Sequence, residues 1–115
     1  MAPCEDVEIA PGQVALVPTG LKAVMGEGEF LAITIRSSWA IKRKVTLANC
    51  PAIIDADYAN NPENEGHIIL ALWNFGSSPV TIKRGERVAQ GIFMNYLLVD
   101  GDRPGGVRKG GLGST

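Results

Sequence analysis

The apolar residues of this chain come in short runs, which glycine or proline interrupts roughly every eight to twelve residues. The sequence has 14 glycines and 7 prolines, which leaves little room for long helices. Runs such as "EFLAITIR" and "HIILALWNF" are rich in Val, Ile, Thr and aromatic residues and alternate in part. No window carries an apolar stripe with the 3.6-residue spacing of a capped helix. We therefore predict an all-β fold, a sandwich or barrel of the jelly-roll kind.

The segments between the runs predict turns and loops. "FGSSP" and "KRGE" are typical of hairpin turns. "DYANNPENEGH" has the Asn, Pro and Gly content of an exposed loop that directly follows a strand.

Charge and composition exclude several classes of function. Lys and Arg number 11 against 12 Asp and Glu, and the net charge of −1 gives no general attraction for nucleic acid. We see no apolar run near the ~20 residues of a membrane span, and no signal peptide. Two cysteines are too few for a disulfide framework, so we take a reducing, cytoplasmic location as the default. With a single histidine, we do not expect a His/Cys metal site either. We expect Cys50 to be a small buried or pocket-lining residue.

The stretch "IRSSWAIKRK" suggests an anion site. It places Arg36 beside Ser37 and Ser38 at the end of a predicted strand, and charge-assisted bonds from such donors suit phosphate oxygens. The alternative is an ordinary solvated basic turn.

The stretch "NCPAIIDADY" offers Asn49, two carboxylates and Tyr58. In an extended chain Asp55 and Asp57 point to one side, with Ala56 and Tyr58 on the other. A carboxylate near phosphates could orient a water as general base, and an Asn amide can pair with a base edge. Turn capping by the two Asp residues and core packing of Tyr58 are the alternatives.

Two further stretches lie towards the end of the chain. "KRGERVAQGIF" places Arg87 and Gln90 three residues apart, so both face one pocket only at a bulge or bend. "RKGGLGST" closes the chain with glycines that let backbone N–H groups approach an anion, and with Arg108 to supply charge.

Together these stretches resemble the trimeric dUTP pyrophosphatase (dUTPase) family. The resemblance runs from about Glu5 to the last residue, and "RSSWAIKRK" and "NNPENEGHI" are similar to Gram-positive bacterial or phage members. The matching pieces, in order, are "LVPTGLKA" upstream, "RSS" at 36–38, "NCPAIIDADY" at 49–58, "GERVAQGIF" at 85–93 and "RKGGLGST" at 108–115.

The resemblance implies a role for each matching residue. Asp55 would hold the deoxyribose 3′-hydroxyl and orient the water that attacks the α-phosphorus. Arg87 belongs to the motif too, although it could be part of a structural ion pair. The residues implied for uracil and deoxyribose are Asn49, Ile53, Ile54, Tyr58 and Leu112. The residues implied for the phosphates are Arg36, Ser37, Ser38, Gln90, Arg108, Ser114 and Thr115.

The resemblance also implies an assembly and a cofactor. Three jelly-roll subunits would share their active sites, with residues 1–107 as the barrel and 108–115 as an arm that closes over a neighbour's nucleotide. The reaction would be hydrolysis of dUTP to dUMP and pyrophosphate. Mg²⁺ would be held through the nucleotide phosphates, not in a protein cage.

Three departures from the family pattern carry expectations of their own. The family's first motif, Ala-x-Asp, is absent before "EDVEIAPG". In the family its Asp holds a metal-bound water, so we expect weaker binding of Mg²⁺·dUTP. Loss of the strand that carries it would also leave an unpaired sheet edge. Leu112 stands where the arm usually presents an aromatic ring. Trp39 follows "RSS" where a smaller or aliphatic residue is common, and it could pack at the trimer axis or against the arm.

Two other functions remain as alternatives. dCTP deaminase shares the fold and an "RSS" motif, but it needs a Glu where this chain has Ala71, which argues against deamination. A truncated or non-catalytic dUTPase-like module that binds a nucleotide or a regulatory protein is the second alternative, and the missing first motif is what suggests it.

Overall fold

The chain is built almost wholly from β-strands. The computed structural model describes residues 1–60 and 66–97, apart from the side chains of residues 59 and 60. The strands within these ranges are β1 (Val7–Ile9), β2 (Val14–Pro18), β3 (Glu29–Ile35), β4 (Val45–Leu47), β5 (Ala52–Asp55), β6 (Ile69–Asn74), β7 (Val80–Ile82) and β8 (Ala89–Asn95).

The strands form three separate antiparallel sheets, which do not close into one continuous barrel across the described residues. Their orders are β1–β7, β2–β6–β4 and β5–β3–β8. In the third sheet Phe30 of β3 lies opposite Asp55 of β5, and Thr34 lies opposite Gln90 of β8. This register fixes where the predicted site residues lie relative to one another.

One hydrophobic core fills the space between the sheets. Strand alternation supplies it: in β6, Leu70 and Leu72 are buried while Ile69 and Trp73 are exposed. Leu31 and Ile33 of β3 face the same core. The other buried apolar residues of this cluster are Ile9, Val17, Ala23, Trp39, Val45, Leu47, Ile68, Val80, Ile82, Val88 and Ala89.

Two short helical segments were not predicted. A single π-helical turn spans Trp39–Arg43, and a 3₁₀ helix spans Ala56–Asn60. The prediction of extended chain from Asp55 to Tyr58 is therefore wrong, because β5 ends at Asp55 and the chain then turns. Asp57 does not share a strand face with Asp55.

The two predicted hairpins are also wrong, although both segments are turns. "FGSSP" joins β6 to β7 and "KRGE" joins β7 to β8, and the strands joined belong to different sheets. In the second turn Gly85 has φ +82°, a conformation that favours glycine, and the Glu86 N–H donates to the Lys83 carbonyl at 3.0 Å. These turns carry the chain from one sheet to another.

Cys50 is exposed, so burial, the first of its two expected placements, is wrong, and a pocket-lining role stays a prediction; Cys4 is exposed too, and both thiols are free. The Met1 carbonyl accepts from the Val88 N–H at 2.9 Å, so the first residue pairs beside the start of β8. No helix in residues 1–60 and 66–97 is long and apolar enough to cross a membrane.

Candidate functional site

Arg36, Ser37 and Ser38 form an exposed corner between β3 and the π-helical turn. The backbone of this corner is fixed at both ends. The Arg36 N–H donates to the Val88 carbonyl at 2.9 Å, and the Arg36 carbonyl accepts from the Trp39 N–H at 3.0 Å. The backbone of the corner is therefore held in place, while its side chains are exposed to solvent.

Gln90 lies next to this corner, on β8. It is opposite Thr34, two residues before Arg36, and its Nε2 donates to Thr34 Oγ1 at 3.2 Å. The charges of Arg36 and Arg87 both act on the Met1 amino group, whose pKa is lowered first by burial and then by these two arginines. We call Arg36, Ser37, Ser38, Arg87 and Gln90 the phosphate half-site.

Arg87 is exposed and has no ion pair among the residues that the structure describes. The alternative role of a structural ion pair therefore has no support in these ranges. Its carbonyl accepts the indole N–H of Trp39 at 2.8 Å. Trp39 is buried in the core of its own chain, so the expectation that it packs at the trimer axis or against the arm is wrong.

The residues expected to bind the nucleoside follow β5. Asn49 is exposed in the loop that enters the strand, and Asp55 is exposed at its last position. Among the described residues β5 is an edge strand, so alternate peptide groups between them face away from β3, where a base could pair with them. Ile54 packs against the core and Ile53 is exposed, so Ile54 can offer only its backbone. We call Asn49, the β5 edge, Asp55 and Tyr58 the nucleoside half-site.

Tyr58 lies in the 3₁₀ helix just after Asp55 and is half-buried. Its hydroxyl donates to the His67 carbonyl at 2.9 Å, and His67 Nε2 accepts from the Gly20 N–H at 2.9 Å. These bonds tie the ring to the start of β6 and hold it beside the end of β5. The ring of Tyr58 is only partly covered, so it is neither fully packed in the core nor fully exposed for stacking on a ligand.

The two half-sites lie at opposite ends of one sheet. Asp55 is level with Phe30 at the start of β3, whereas Gln90 is level with Thr34 and Arg36 follows the end of the strand. At about 3.4 Å per residue, four to six positions separate them by roughly 14 to 20 Å. Asp55 and Arg36 of one chain therefore cannot both contact the same α-phosphate.

An apolar surface lies between the half-sites, on the side of this sheet that faces away from the core. Register and alternation place the side chains of Asp55 and Gln90 on it as well. Exposure is 50% for Ile53, 54% for Ile92 and 47% for Met94. We call this surface the outer face; its members are Phe30, Ala32, Thr34, Ile53, Asp55, Gln90, Ile92 and Met94.

The described residues contain no group of three His, Cys, Asp or Glu side chains placed to hold a metal ion. Asp55 offers an exposed carboxylate, a hard oxygen ligand. Mg²⁺ commonly takes one or two carboxylates together with substrate phosphates and water. The Asp55 carboxylate therefore fits a divalent ion that is also bound by phosphates and water.

Comparison with known proteins identifies the family. The dUTPase family profile matches residues 2–103. Deoxyuridine 5′-triphosphate nucleotidohydrolase from Lactococcus lactis is 49% identical over an alignment of 113 residues that covers 96% of this chain and 75% of that protein. The chain belongs to the dUTPase family. A second dUTPase, from Photorhabdus laumondii, is 39% identical over 95 residues, 82% of this chain and 59% of that protein. The family identity supports dUTP hydrolysis as the activity.

Solved dUTPase structures confirm the jelly-roll-like β fold. The dUTPase from Streptococcus mutans superimposes with a TM-score of 0.81 at 47% identity, over 86% of this chain and 77% of that one. The EIAV dUTPase gives a TM-score of 0.74 at 24% identity, over 95% of this chain and 82% of that one. The resemblance to Gram-positive dUTPases is confirmed by the Lactococcus and Streptococcus proteins.

Some expected site residues lie outside the described residues, namely Arg108, Leu112, Ser114 and Thr115. Sequence reasoning did not find the outer face or the bond from Trp39 to Arg87. The alternation of Phe30, Ala32 and Thr34 was visible, but pairing with β5 and β8 was needed to show that both sides of β3 are apolar.

Proposed function

We propose that this chain hydrolyses dUTP to dUMP and pyrophosphate in a site that two or more copies of the chain build together. Membership of the dUTPase family supports the reaction. The main support for a site shared between copies is the separation of the two half-sites along one sheet, with an exposed apolar surface between them. Copies that pack through their outer faces would bury this surface and bring the nucleoside half-site of one copy to the phosphate half-site of another.

In this proposal the base lies along the edge of β5. Free peptide groups of the strand, with the Asn49 amide, read the donor and acceptor pattern of uracil, which cytosine reverses. Tyr58 covers the deoxyribose and Asp55 accepts a hydrogen bond from the 3′-hydroxyl. The phosphates then extend beyond the end of β5, away from Arg36 of the same chain.

Asp55 also acts as the general base in this account. Its carboxylate accepts a proton from the water that attacks the α-phosphorus, which directs the oxygen lone pair at phosphorus. Arg36, Ser37, Ser38 and Gln90 of another copy donate to the phosphate oxygens and position the chain of phosphates for displacement. Ser37 and Ser38 serve as short neutral donors, and Arg36 supplies charge.

A divalent ion is part of the proposal. Mg²⁺ bound to the phosphates would offset negative charge in the transition state. Of the residues named in the two half-sites, Asp55 offers the carboxylate that could approach this ion directly or through water. A homotrimer is the assembly we propose, with residues 108–115 as the arm that supplies Arg108, Leu112, Ser114 and Thr115 to a neighbour. A cytoplasmic location agrees with two free, exposed cysteines.

Deamination of dCTP is not supported. That reaction needs a carboxylate to move protons at the base, and position 71, in β6, is a half-buried alanine paired with Leu16. The β5–β3–β8 sheet that carries Asp55 is a different sheet from the one that holds Ala71.

Release of pyrophosphate tests the proposal. We expect release from dUTP that depends on Mg²⁺, with little from dCTP or UTP under the same conditions. Equal rates with dCTP would contradict reading of the uracil edge, and no release from dUTP at saturating Mg²⁺ would contradict hydrolysis.

The Asp55→Asn variant tests the role of the carboxylate. The amide keeps the shape and a hydrogen bond to the sugar but cannot take the proton, so we expect kcat to fall by roughly 10²–10⁴-fold, with dUTP binding largely kept. Asp57→Asn is the matched control, because Asp57 is an exposed carboxylate two residues on. Equal kcat for Asp55→Asn and the parent would remove Asp55 from the mechanism.

A further inference from the structure

A cleft of about 270 Å³ lies at the other end of the π-helical turn from the phosphate half-site. Two segments form its walls: Lys42–Lys44, where the turn ends, and Gly76–Val80, which leads into β7. We call it the KRK cleft. Its lining includes three cationic side chains and two serines, and no Asp or Glu.

Arg43 is held in a fixed orientation. Its guanidinium carbon lies 4.5 Å from the centre of the Trp39 ring, and one of its nitrogens donates to the Thr81 carbonyl at 3.2 Å. A guanidinium has five N–H donors, so most of them stay available. A donor that is already oriented loses less conformational freedom when it binds an anion.

Lys44 adopts a conformation that disfavours residues with a Cβ atom. Its φ is 57° and its ψ 41°, in the left-handed region. Two backbone bonds hold it there: its N–H donates to the Trp39 carbonyl, and its carbonyl accepts from the Phe75 N–H at 2.9 Å. A glycine could adopt this backbone conformation without strain. A lysine here places a positive charge at the cleft but makes the fold less stable than a glycine would.

The positive charge of the cleft is not neutralised within the described part of the chain. Within the described residues, the ion pair that the structure shows joins Lys83 to Asp6, and neither of these residues lines the cleft. Gly76 allows the two walls to approach, since a Cβ at that position would lie 3.0 Å from the Cβ of Lys44. Three unpaired cations beside two hydroxyls suit the oxygens of a phosphate group.

We propose that the KRK cleft is a second anion site, separate from the nucleotide site, which binds a small phosphate-bearing anion of the pyrophosphate class. Three of the 11 Lys and Arg residues line this one cleft, on a chain whose net charge is −1. An extended nucleic acid backbone is bound by a basic stripe or face instead, with a field that attracts it. A compact anion therefore matches the cleft better than a nucleic acid does.

The test is a titration of pyrophosphate into the ¹⁵N-labelled full chain, followed by amide NMR at fixed ionic strength. The amide signals of Lys44, Gly76, Ser77 and Ser78 are expected to shift together and to saturate. Shifts confined to residues 36–38 and 90 would place the anion at the phosphate half-site and overturn the proposal. No dUTP is present, so the result does not depend on the proposed hydrolysis.

A double variant, Lys42→Ala with Lys44→Gly, separates binding from folding. Loss of two charges is expected to weaken pyrophosphate binding by roughly tenfold or more, while the glycine relieves the left-handed strain and keeps the melting temperature at or above that of the parent. Lys22→Ala, an exposed lysine outside the cleft, should leave the affinity within about twofold. Unchanged affinity in the double variant would overturn the proposal.

A short single-stranded DNA oligonucleotide is the second arm of the titration. It carries the same phosphate chemistry in extended form, and we expect it to shift the cleft amides less than pyrophosphate does at equal phosphate concentration. A larger shift from the oligonucleotide would overturn the assignment to a small anion.

Discussion

Trp39 joins the two chain segments that form the phosphate half-site. Its backbone N–H donates to the Arg36 carbonyl at 3.0 Å, and its indole N–H donates to the Arg87 carbonyl at 2.8 Å. The residue as a whole is buried, with 6% of its surface exposed. One side chain therefore sets the distance between the corner at Arg36 and the start of β8.

The Trp39→Phe variant tests this link. The phenyl ring fills most of the same space but has no N–H, so the Arg87 carbonyl loses its donor at a cost of about 1 kcal/mol. If that carbonyl positions the half-site, KM for dUTP should rise about fivefold, with a smaller change in kcat. Steady-state kinetics on the oligomer measure both constants.

Trp73→Phe provides the matched control for this substitution. Trp73 is exposed on β6, where its ring packs against Phe75 at 5.5 Å between centroids. We expect its KM to match that of the parent. The positioning role of Trp39 would be contradicted by a KM in Trp39→Phe no higher than in Trp73→Phe.

At the scale of the strands, Asn74 holds separate sheets together. It is the last residue of β6 and has 0% exposure. Its side-chain nitrogen donates to the Ile9 carbonyl of β1 and to the Ser78 carbonyl, both at 2.9 Å, and its oxygen accepts from the Gly76 N–H at 2.9 Å. One buried amide thus connects β6, β1 and the turn into β7.

The Asn74→Ala variant should destabilise the fold strongly. The buried Ile9 carbonyl and the half-buried Gly76 N–H would lose their partner, and such a loss costs about 1–3 kcal/mol for a buried group. We expect a fall of roughly 3 kcal/mol or more in the free energy of unfolding, measured by urea denaturation. Asn95→Ala, at the exposed end of β8, is the control; equal midpoints for the two variants would contradict this role of Asn74.

The sequence predicted the strands better than their pairing. Period-two patterns and punctuation by Gly and Pro are local, so "EFLAITIR" and "HIILALWNF" were found, and they contain β3 and β6. Whether two strands pair depends on long-range packing, so the turns at "FGSSP" and "KRGE" were mistaken for hairpins. The end of β5 at Asp55 was missed because the following 3₁₀ helix has no strong local signal.

At the scale of the whole molecule, the outer face controls whether the site can form. It is apolar at the centre, with Asp55 at one end and Gln90 at the other. An exposed apolar surface on a sheet favours association through burial of that surface. Assembly and activity should therefore be lost together when this face is changed.

The Ile92→Lys variant tests that coupling. A lysine is tolerated on an exposed strand, but at a packed interface it would bury a charge without a partner. We expect sedimentation velocity to give a monomer near 12.2 kDa, with native circular dichroism and no hydrolysis of dUTP. Val24→Lys, at a site that is 77% exposed and outside this face, should stay oligomeric. An intact, active oligomer of Ile92→Lys would contradict the role of the outer face.

The candidate site was predictable as a set of residues but not as an arrangement. Arg36, Ser37 and Asp55 were found because hydroxyl, guanidinium and carboxylate groups at strand ends match phosphate chemistry, and the order of the stretches matches the family. The separation of Asp55 from Gln90 and Arg36, roughly 14 to 20 Å along the sheet, follows from the register of β3 with β5 and β8, which sequence spacing does not reveal.

Complementation between two inactive variants tests the shared site most directly. Asp55→Asn lacks the carboxylate that acts as general base, and Arg36→Ala lacks the positive charge of the phosphate half-site. Each variant alone should be nearly inactive. Co-refolded together, they should regain a substantial fraction of the parent's pyrophosphate release from dUTP, because some sites then combine an intact Asp55 from one copy with an intact Arg36 from another. If mixed oligomers form and no activity returns, each site lies within one chain and the account is contradicted.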